Sequence, residues 1–480
     1  MRAVNIATQR VVARAWGGAD NSCLVANRKP MLKSVSRDLR QCSAEVLPPA
    51  RPFLAMASRT PALVWSSVLV GAWLVVVGAT SVAGAQEAPG LVFDPTWPKD
   101  LPNNWKLGGV TGLAVDGEDN VWLYNRPNDL TNIELHAELD PPLALCCVRA
   151  PSMIHLDRTG RVIGSFDAPQ GHGMDVDSAG FVYLGQDTVR KYDPRSGTVV
   201  AEIARTPERE DGGPVGLQPA ARRPGQGGRG PVAAFLPQPP ADPAAVEVQA
   251  ARRAAFRAKY PPSTPLIVGQ IEEIRIVEAD NEVYVADSYL GGRVLVFALD
   301  TLEFKRGWGA YGKPLTDISI DDADHRYTPN GPSPSDFVGH LTINVSRDGV
   351  VYAADRNANR IHVTSKQGAF VGEWVLAPGT GVGGSTGGIA FSPDAEQRLL
   401  YVSDLTNNRI WFLNRGDGRL VGEMGRMGEK GGQFYGLHMI AVDSAGNVYT
   451  GEVFQGERVQ RFVPADGARG RLLRQLPDTP

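Results

Sequence analysis

The chain has 480 residues, 42% hydrophobic and 21% charged, the balance of a globular protein with ample material for a core. Its 54 glycines and 36 prolines favour a turn-rich β protein over a helical one. The formal charge is −3, and residues 1–85 carry the basic excess, so the remainder is more acidic still. Such a surface excludes nucleic acid as the expected partner.

In chain order, residues 1–55 match no part of an export signal and are read as a non-native extension, with Met56 as the expected initiator. Residues 56–85 have the parts of a signal peptide. Arg59 precedes the uncharged run Ala62–Ala79, and Ala83-Gly84-Ala85 supplies the small–x–small cleavage pattern. Cleavage is expected before Gln86, giving a periplasmic or extracellular protein free of the membrane. The competing expectation is an uncleaved anchor, because the run is borderline in length for spanning.

From residue 86 to 480 one unit recurs: an apolar strand, a glycine turn, a second strand, a short loop, and a strand opening Arg-(Ile/Val). Instances are GLAVDGEDNVWLYNR (112–126), GMDVDSAGFVYLGQDTVRKYD (173–193), IRIVEADNEVYVADSYLGGRVLVF (274–297), INVSRDGVVYAADRNANRIHV (343–363), GIAFSPDAEQRLLYVSDLTNNRIWFL (388–413) and MIAVDSAGNVYTGEVFQGERVQRF (439–462). A fourth strand follows several of them, as in AFVGEWV. Six four-stranded units predict an all-β, six-bladed β-propeller, in which neighbouring blades bury each other's faces. Leu91-Val92-Phe93 is placed to add the outer strand of the last blade and close the ring. A monomer is expected.

Within the repeats, Asp287/Arg293, Asp355/Arg360, Asp404/Arg409 and the variant Glu452/Arg458 place an acid at the end of one strand and an arginine at the start of the next. These are expected to pair across the loop. The pattern over 271–462 resembles NHL repeats. Residues 206–264 interrupt the repeats with Pro, Gly, Arg and Ala and lack periodicity, so they predict a largely disordered insertion over one face. Its end, Asp242–Tyr260, is compatible with a helix having Asp242 as N-cap and Pro243 at the first helical position.

Three of the seven histidines, His172, His340 and His438, stand just before an innermost strand. Such positions lie at one mouth of the central channel, so three blades aim imidazoles at one axis. Three neutral imidazoles with an open position are a metal site of the zinc type. His172 and His438 are eight residues before their turn glycines, Gly180 and Gly446, but His340 is nine before Gly349. A β-bulge is expected to restore its aim.

These segments resemble the lyase half of the peptidylglycine α-amidating system, and secreted bacterial propellers grouped with it. Gly-His172-Gly-Met, Gly-His340-Leu and Leu-His438-Met-Ile resemble that family's three zinc-histidine segments. Asp287-Ser288-Tyr289 resembles its Asp-Gly-Tyr segment, and Arg126 stands where the family carries a site arginine. WGAYG, AFSPD and YTGE segments recur in the bacterial relatives. The resemblance runs over roughly residues 108–465. It implies a zinc-dependent carbon–nitrogen lyase that cleaves an N-acyl-α-hydroxyglycine to an amide and glyoxylate. It casts His172, His340 and His438 as metal ligands, Tyr289 as the general base and Arg126 as the partner of a substrate carboxylate. Met439 stands where the family has a calcium-binding aspartate, so a calcium of that kind is not expected. The family's disulfide cysteines have no counterparts.

The alternative is a non-catalytic propeller that binds a peptide, glycan or protein on one face. Of the remaining signals, the adjacent Cys146 and Cys147 are open to a vicinal disulfide, a soft-metal contact or two packed thiols. Gly383-Gly384-Ser385-Thr386-Gly387 fits G-x-S-x-G but does not follow a strand, so a serine hydrolase is not expected. The acidic loop Asp321–Asp324 is read as solvated. His136, His155 and His362 have no matching partners.

Overall fold

A computed structural model of the chain describes residues 87–209, 220, 222–224, 242–381 and 383–475. The expected extension and signal segment, with most of the Pro/Gly-rich stretch, lie outside the described residues.

The strands form six four-stranded antiparallel sheets, five of them in chain order from the channel outwards, together with one two-stranded pair. The innermost strands are Gly109–Val115, Met174–Val176, Gln270–Val277, Leu341–Val345, Ile389–Phe391 and Leu437–Val442. The molecule is a six-bladed propeller. Its sixth blade takes its outer strand from the other end of the chain, as expected: Leu91 lies opposite Pro464 and Phe93 opposite Phe462. Asp94 fixes this latch. It is fully buried and accepts from Arg461 Nη2 at 2.7 Å and Arg469 Nη2 at 2.8 Å.

No blade has a core of its own. Each of the six large apolar clusters joins two neighbours, as where Leu113, Leu123 and Ile154 of the first blade meet Met439, Tyr449 and Val459 of the sixth. Between the fifth and sixth blades, Tyr401 and Phe412 meet Leu437, Ile440 and Phe462. Burial of such side chains is worth about 1.5–3 kcal/mol each, so face-to-face packing and not the single sheet makes the stable unit.

The loop pairs form at three of the four expected places. Arg293 Nη2 lies 2.8 Å from Asp287 Oδ2 and Arg360 Nη2 lies 3.0 Å from Asp355 Oδ2, all four side chains fully enclosed. Arg458 Nε lies 2.9 Å from Glu452 Oε1. The fourth expectation is corrected. Asp404 accepts from Trp411 Nε1 at 2.9 Å and Asn407 Nδ2 at 2.8 Å, and Arg409 turns outward to Glu423. The indole two residues on supplies the donor that the guanidinium provides elsewhere.

The first blade also departs from the repeat. Its third strand is Met153–Leu156, and residues 127–152 form a long excursion before it. Cys146 and Cys147 are joined there as a vicinal disulfide. The insertion helix is Pro243–Lys259, and the Asp242 carboxylate accepts from Ala244 N at 3.1 Å, as expected of the N-cap. The helix is held by Asp322, which binds Arg257 and accepts from Arg253 Nε at 2.7 Å. Asp322 of the acidic loop thus anchors the helix, while Asp321 and Asp324 stay exposed as the solvated reading expected. Phe256 packs with Val268 and Leu290 in a separate small cluster. Among the described residues no helix is long and apolar enough to cross a membrane.

Candidate functional site

The site lies at the channel mouth where the innermost strands begin. His172 precedes the second blade's inner strand. Its Nδ1 lies 2.6 Å from the carbonyl oxygen of Glu272, so the Nδ1–H donates to that carbonyl and leaves Nε2 facing the channel. Gly173 makes this approach possible: its φ is +75°, and a Cβ there would lie 2.8 Å from the same carbonyl oxygen. His438 is the extra residue of a bulge in the sixth blade, between Leu437 and Met439. Its Nε2 lies 3.1 Å from His172 Nε2 and 3.2 Å from Arg356 Nη1.

His340 reaches the site by a different device. No bulge interrupts the register of Leu341–Val345. Instead Gly339 and His340 take positive φ values of 125° and 53° before the strand starts. The left-handed step absorbs the extra residue, which corrects the expected bulge. The ring then presents Nδ1, 3.0 Å from Glu272 Oε1 and 3.0 Å from the Tyr289 hydroxyl. Tyr289 has φ +51°, so two bulky residues with left-handed backbone touch here. Strain of about 1–3 kcal/mol per such residue persists where the surroundings enforce it, often at sites of function. Leu290, next to Tyr289, is pinned beneath Phe256 of the insertion helix.

Glu272 is the group that sequence reasoning missed. It is 1% exposed, and its Oε2 lies 2.9 Å from His172 Nε2. It too is the extra residue of a bulge, between Ile271 and Glu273. The signal was present: QIEEIRIV puts two adjacent acids, both buried, in an innermost strand. The repeat unit was drawn from Ile274 and left them outside. Arg356, which follows Asp355 at the end of the fourth blade's second strand, was missed for a similar reason, being read as loop. Arg126 lies at the same mouth, its Nε donating to Gly171 O at 3.0 Å.

The charges are coupled. Burial opposes ionisation of Glu272, but His172 and His340 hold its carboxyl well below the usual value. Burial pushes the His438 imidazole well down, helped by His172 and the Arg356 charge, and burial with Arg356 pushes His340 down as well. Tyr289 is 36% exposed on one side, yet burial around its hydroxyl, with the Glu272 charge, holds the phenol well above its ordinary value. The next acid along, Glu273, is fully buried, and burial pushes it up to about 7 despite Arg275 Nη1 at 2.9 Å.

Among the described residues no group of three or more His, Cys, Asp or Glu side chains is arranged to hold a metal ion. Here the donor atoms touch one another instead. Both Glu272 oxygens are buried and take no hydrogen bond of ordinary geometry. An enclosed carboxylate set among imidazole nitrogens has the composition of a cation site.

The remaining signals are structural. Ser385 is buried, and its Oγ donates to Leu376 O at 2.5 Å, so it is no exposed nucleophile. His155 stacks on Trp122 with ring centres 3.6 Å apart, and buried His362 accepts from Tyr311 N at 3.2 Å. A cavity of about 410 Å³ lies at the opposite end of the channel, lined by hairpin ends including Asp116, Asp175 and Asp443.

No family model matches the chain, and no curated protein matches it in sequence. Among solved structures it is similar to a protein of unknown function from Bacteroides thetaiotaomicron, with 13% identity, a TM-score of 0.44, and coverage of 79% of this chain and 76% of that one. It is also similar to a catalytically inactive virginiamycin B lyase from Staphylococcus aureus with quinupristin, with 11% identity, a TM-score of 0.37, and coverage of 80% and 90%. A streptogramin B lyase structure has 12% identity, a TM-score of 0.38, and coverage of 74% and 94%.

Proposed function

We propose that the protein is an exported, metal-dependent carbon–nitrogen lyase acting on an N-acyl-α-hydroxyglycine. The observation that carries this reading is the meeting, at one channel mouth, of His172, His438, His340 and Glu272 beside Tyr289, Arg356 and Arg126. A purely binding surface has no use for an enclosed carboxylate among imidazoles. Zinc is the proposed metal, and His172 and His438 would hold it through Nε2. When bound, it would lower the pKa of a substrate hydroxyl.

The residues of the chain do the rest. Arg126 pairs with the substrate carboxylate through its guanidinium fork. Arg356 adds positive charge at the same mouth. The hydroxyl proton must leave as the carbon–oxygen bond becomes a carbonyl. The carbon–nitrogen electron pair then goes to the amide nitrogen, which needs one proton. Tyr289 and His340, hydrogen-bonded at 3.0 Å, form a relay that can take the first proton and deliver the second. The products are an amide and glyoxylate, and atoms and charge balance.

The test is glyoxylate release from α-hydroxyhippurate. Zinc-loaded protein is expected to be active, and Tyr289→Phe is expected to lose about 100-fold in kcat, the usual range for a proton-transfer group. Absence of glyoxylate from a protein shown to contain metal would remove this substrate class. A second reading, a partner-binding propeller, draws on Ile133, Leu143 and Leu145, exposed by 74%, 69% and 94% on the first blade's excursion.

A further inference from the structure

We propose that the cation site is a two-imidazole, one-carboxylate set made by His172 Nε2, His438 Nε2 and Glu272 Oε2, with His340 outside it. This rests on the reading that a divalent cation occupies the cluster. It changes which residues make the site and which metals it suits.

The first argument is distance. Donors bound to one ion at about 2.0–2.1 Å, with angles between 90° and 109°, lie about 2.9–3.4 Å from each other. His172 Nε2 to His438 Nε2 is 3.1 Å, and His172 Nε2 to Glu272 Oε2 is 2.9 Å. These are separations between neighbouring ligands.

The second argument is backbone register. Glu272 and His438 are each the extra residue of a bulge at the start of an innermost strand, between Ile271 and Glu273 and between Leu437 and Met439. The same device aims both side chains down the channel. His340 has no such bulge and enters on a left-handed backbone.

The third argument is the state of the donors. His172 Nδ1 is committed to the Glu272 carbonyl, which leaves Nε2 as the ring nitrogen that an ion can take. Glu272 is 1% exposed, and neither oxygen has a hydrogen bond of ordinary geometry. His340 instead spends Nδ1 on Glu272 Oε1 and the Tyr289 hydroxyl. With Oε2 on the ion and Oε1 facing His340, the carboxylate links the ion to the proton relay. Arg356 Nη1, 3.2 Å from His438 Nε2, is the contact that the imidazole exchanges for the ion. Two imidazoles and a carboxylate suit Zn²⁺, Co²⁺ and Fe²⁺ alike, whereas a three-imidazole set leans towards zinc.

The experiment is titration of the metal-free full chain with Co²⁺, read by visible absorption. X-ray absorption of the wild-type complex gives the nitrogen and oxygen neighbours without any variant. Removing a direct ligand should weaken binding more than the 10–100-fold typical of outer-shell partners. Glu272→Gln, His172→Ala and His438→Ala are therefore expected to weaken Co²⁺ by more than about 100-fold. His340→Ala is expected to cost about 10-fold and keep the wild-type spectrum. Glu272→His, checked for folding by circular dichroism, is expected to restore binding with an altered spectrum. A His340→Ala protein without Co²⁺, beside a Glu272→Gln protein that binds normally, would overturn the assignment and leave the cation reading standing. A wild-type chain that takes no Co²⁺ would overturn both.

Discussion

Asp94→Ala should loosen the ring at its seam. Asp94 is fully buried, held by Arg461 at 2.7 Å and Arg469 at 2.8 Å, and it accepts from Thr96 N at 3.0 Å. Burial pushes its carboxyl up, but these donors outweigh it and hold the group ionised far below its ordinary range. Removing one partner of a buried ion pair costs about 3–5 kcal/mol, because the other charge is left without compensation. Here Arg469 has a side chain 37% exposed and can relax into water, whereas Arg461 at 14% cannot fully do so. The lower end, about 3 kcal/mol, is therefore expected. A kcal/mol shifts Tm by about 2–4 °C at 150–250 residues and less in larger domains, so a fall of about 3–6 °C follows. Scanning calorimetry measures it. Amide exchange should show early opening of Leu91–Phe93 against Val459–Pro464, with the other blades unaffected. A Tm shift below about 1 °C with unchanged exchange would refute the reasoning that the seam depends on this carboxylate.

Three further outcomes follow from the geometry. Arg293→Ala and Arg360→Ala, which break fully enclosed pairs, should each cost about 3–5 kcal/mol, and Arg409→Ala, whose pair with Glu423 is exposed, under about 1 kcal/mol. Equal losses in urea unfolding would contradict this. Burial raises the Glu282 carboxyl, but Arg306, Lys305 and Tyr284 donate to it and bring it down to about 2 from 4.5. Its folded value is depressed, so its stabilisation is present above pH 4.5 and lost as pH falls through about 2. The stability gap between wild type and Glu282→Gln should thus close across that window, and a gap independent of pH would count against it. Replacing Cys146 and Cys147 together by serine should move Tm by less than about 1 °C, since a bond between adjacent residues closes almost no loop. A larger loss would mean that the disulfide shapes the excursion of the first blade.

Most of the fold was legible in the sequence because the repeat is written in residue types that admit few alternatives. Period-two strands with a short turn in every unit, glycine-bearing in four of the six, left a propeller as the economical solution, and Leu91–Phe93 was identifiable as the latch because one strand was missing from the last blade. The Asp404 pair was misread because spacing records which charges are near, not whether an indole such as Trp411 takes the acceptor first. The site was half legible. His172, His340 and His438 were found because histidine is rare and recurs in register. Glu272 was passed over although it holds the same register in the third blade, since an acid in a strand does not announce a histidine motif. Comparing that one position across all six blades would have exposed it. The off-by-one spacing of His340 was visible, but the left-handed turn that absorbs it was not. Nor was the proton state of Tyr289 readable, because it depends on Glu272.

The most direct test of the account is metal content of the purified protein, prepared without chelators and after loading with zinc, for the wild type and for His172→Ala and His438→Ala. The account predicts roughly one zinc per wild-type chain, lost in both variants while their thermal unfolding stays cooperative. Wild-type protein that retains no metal, or variants that retain it in full, would contradict a cation site at this channel mouth and with it the lyase reading.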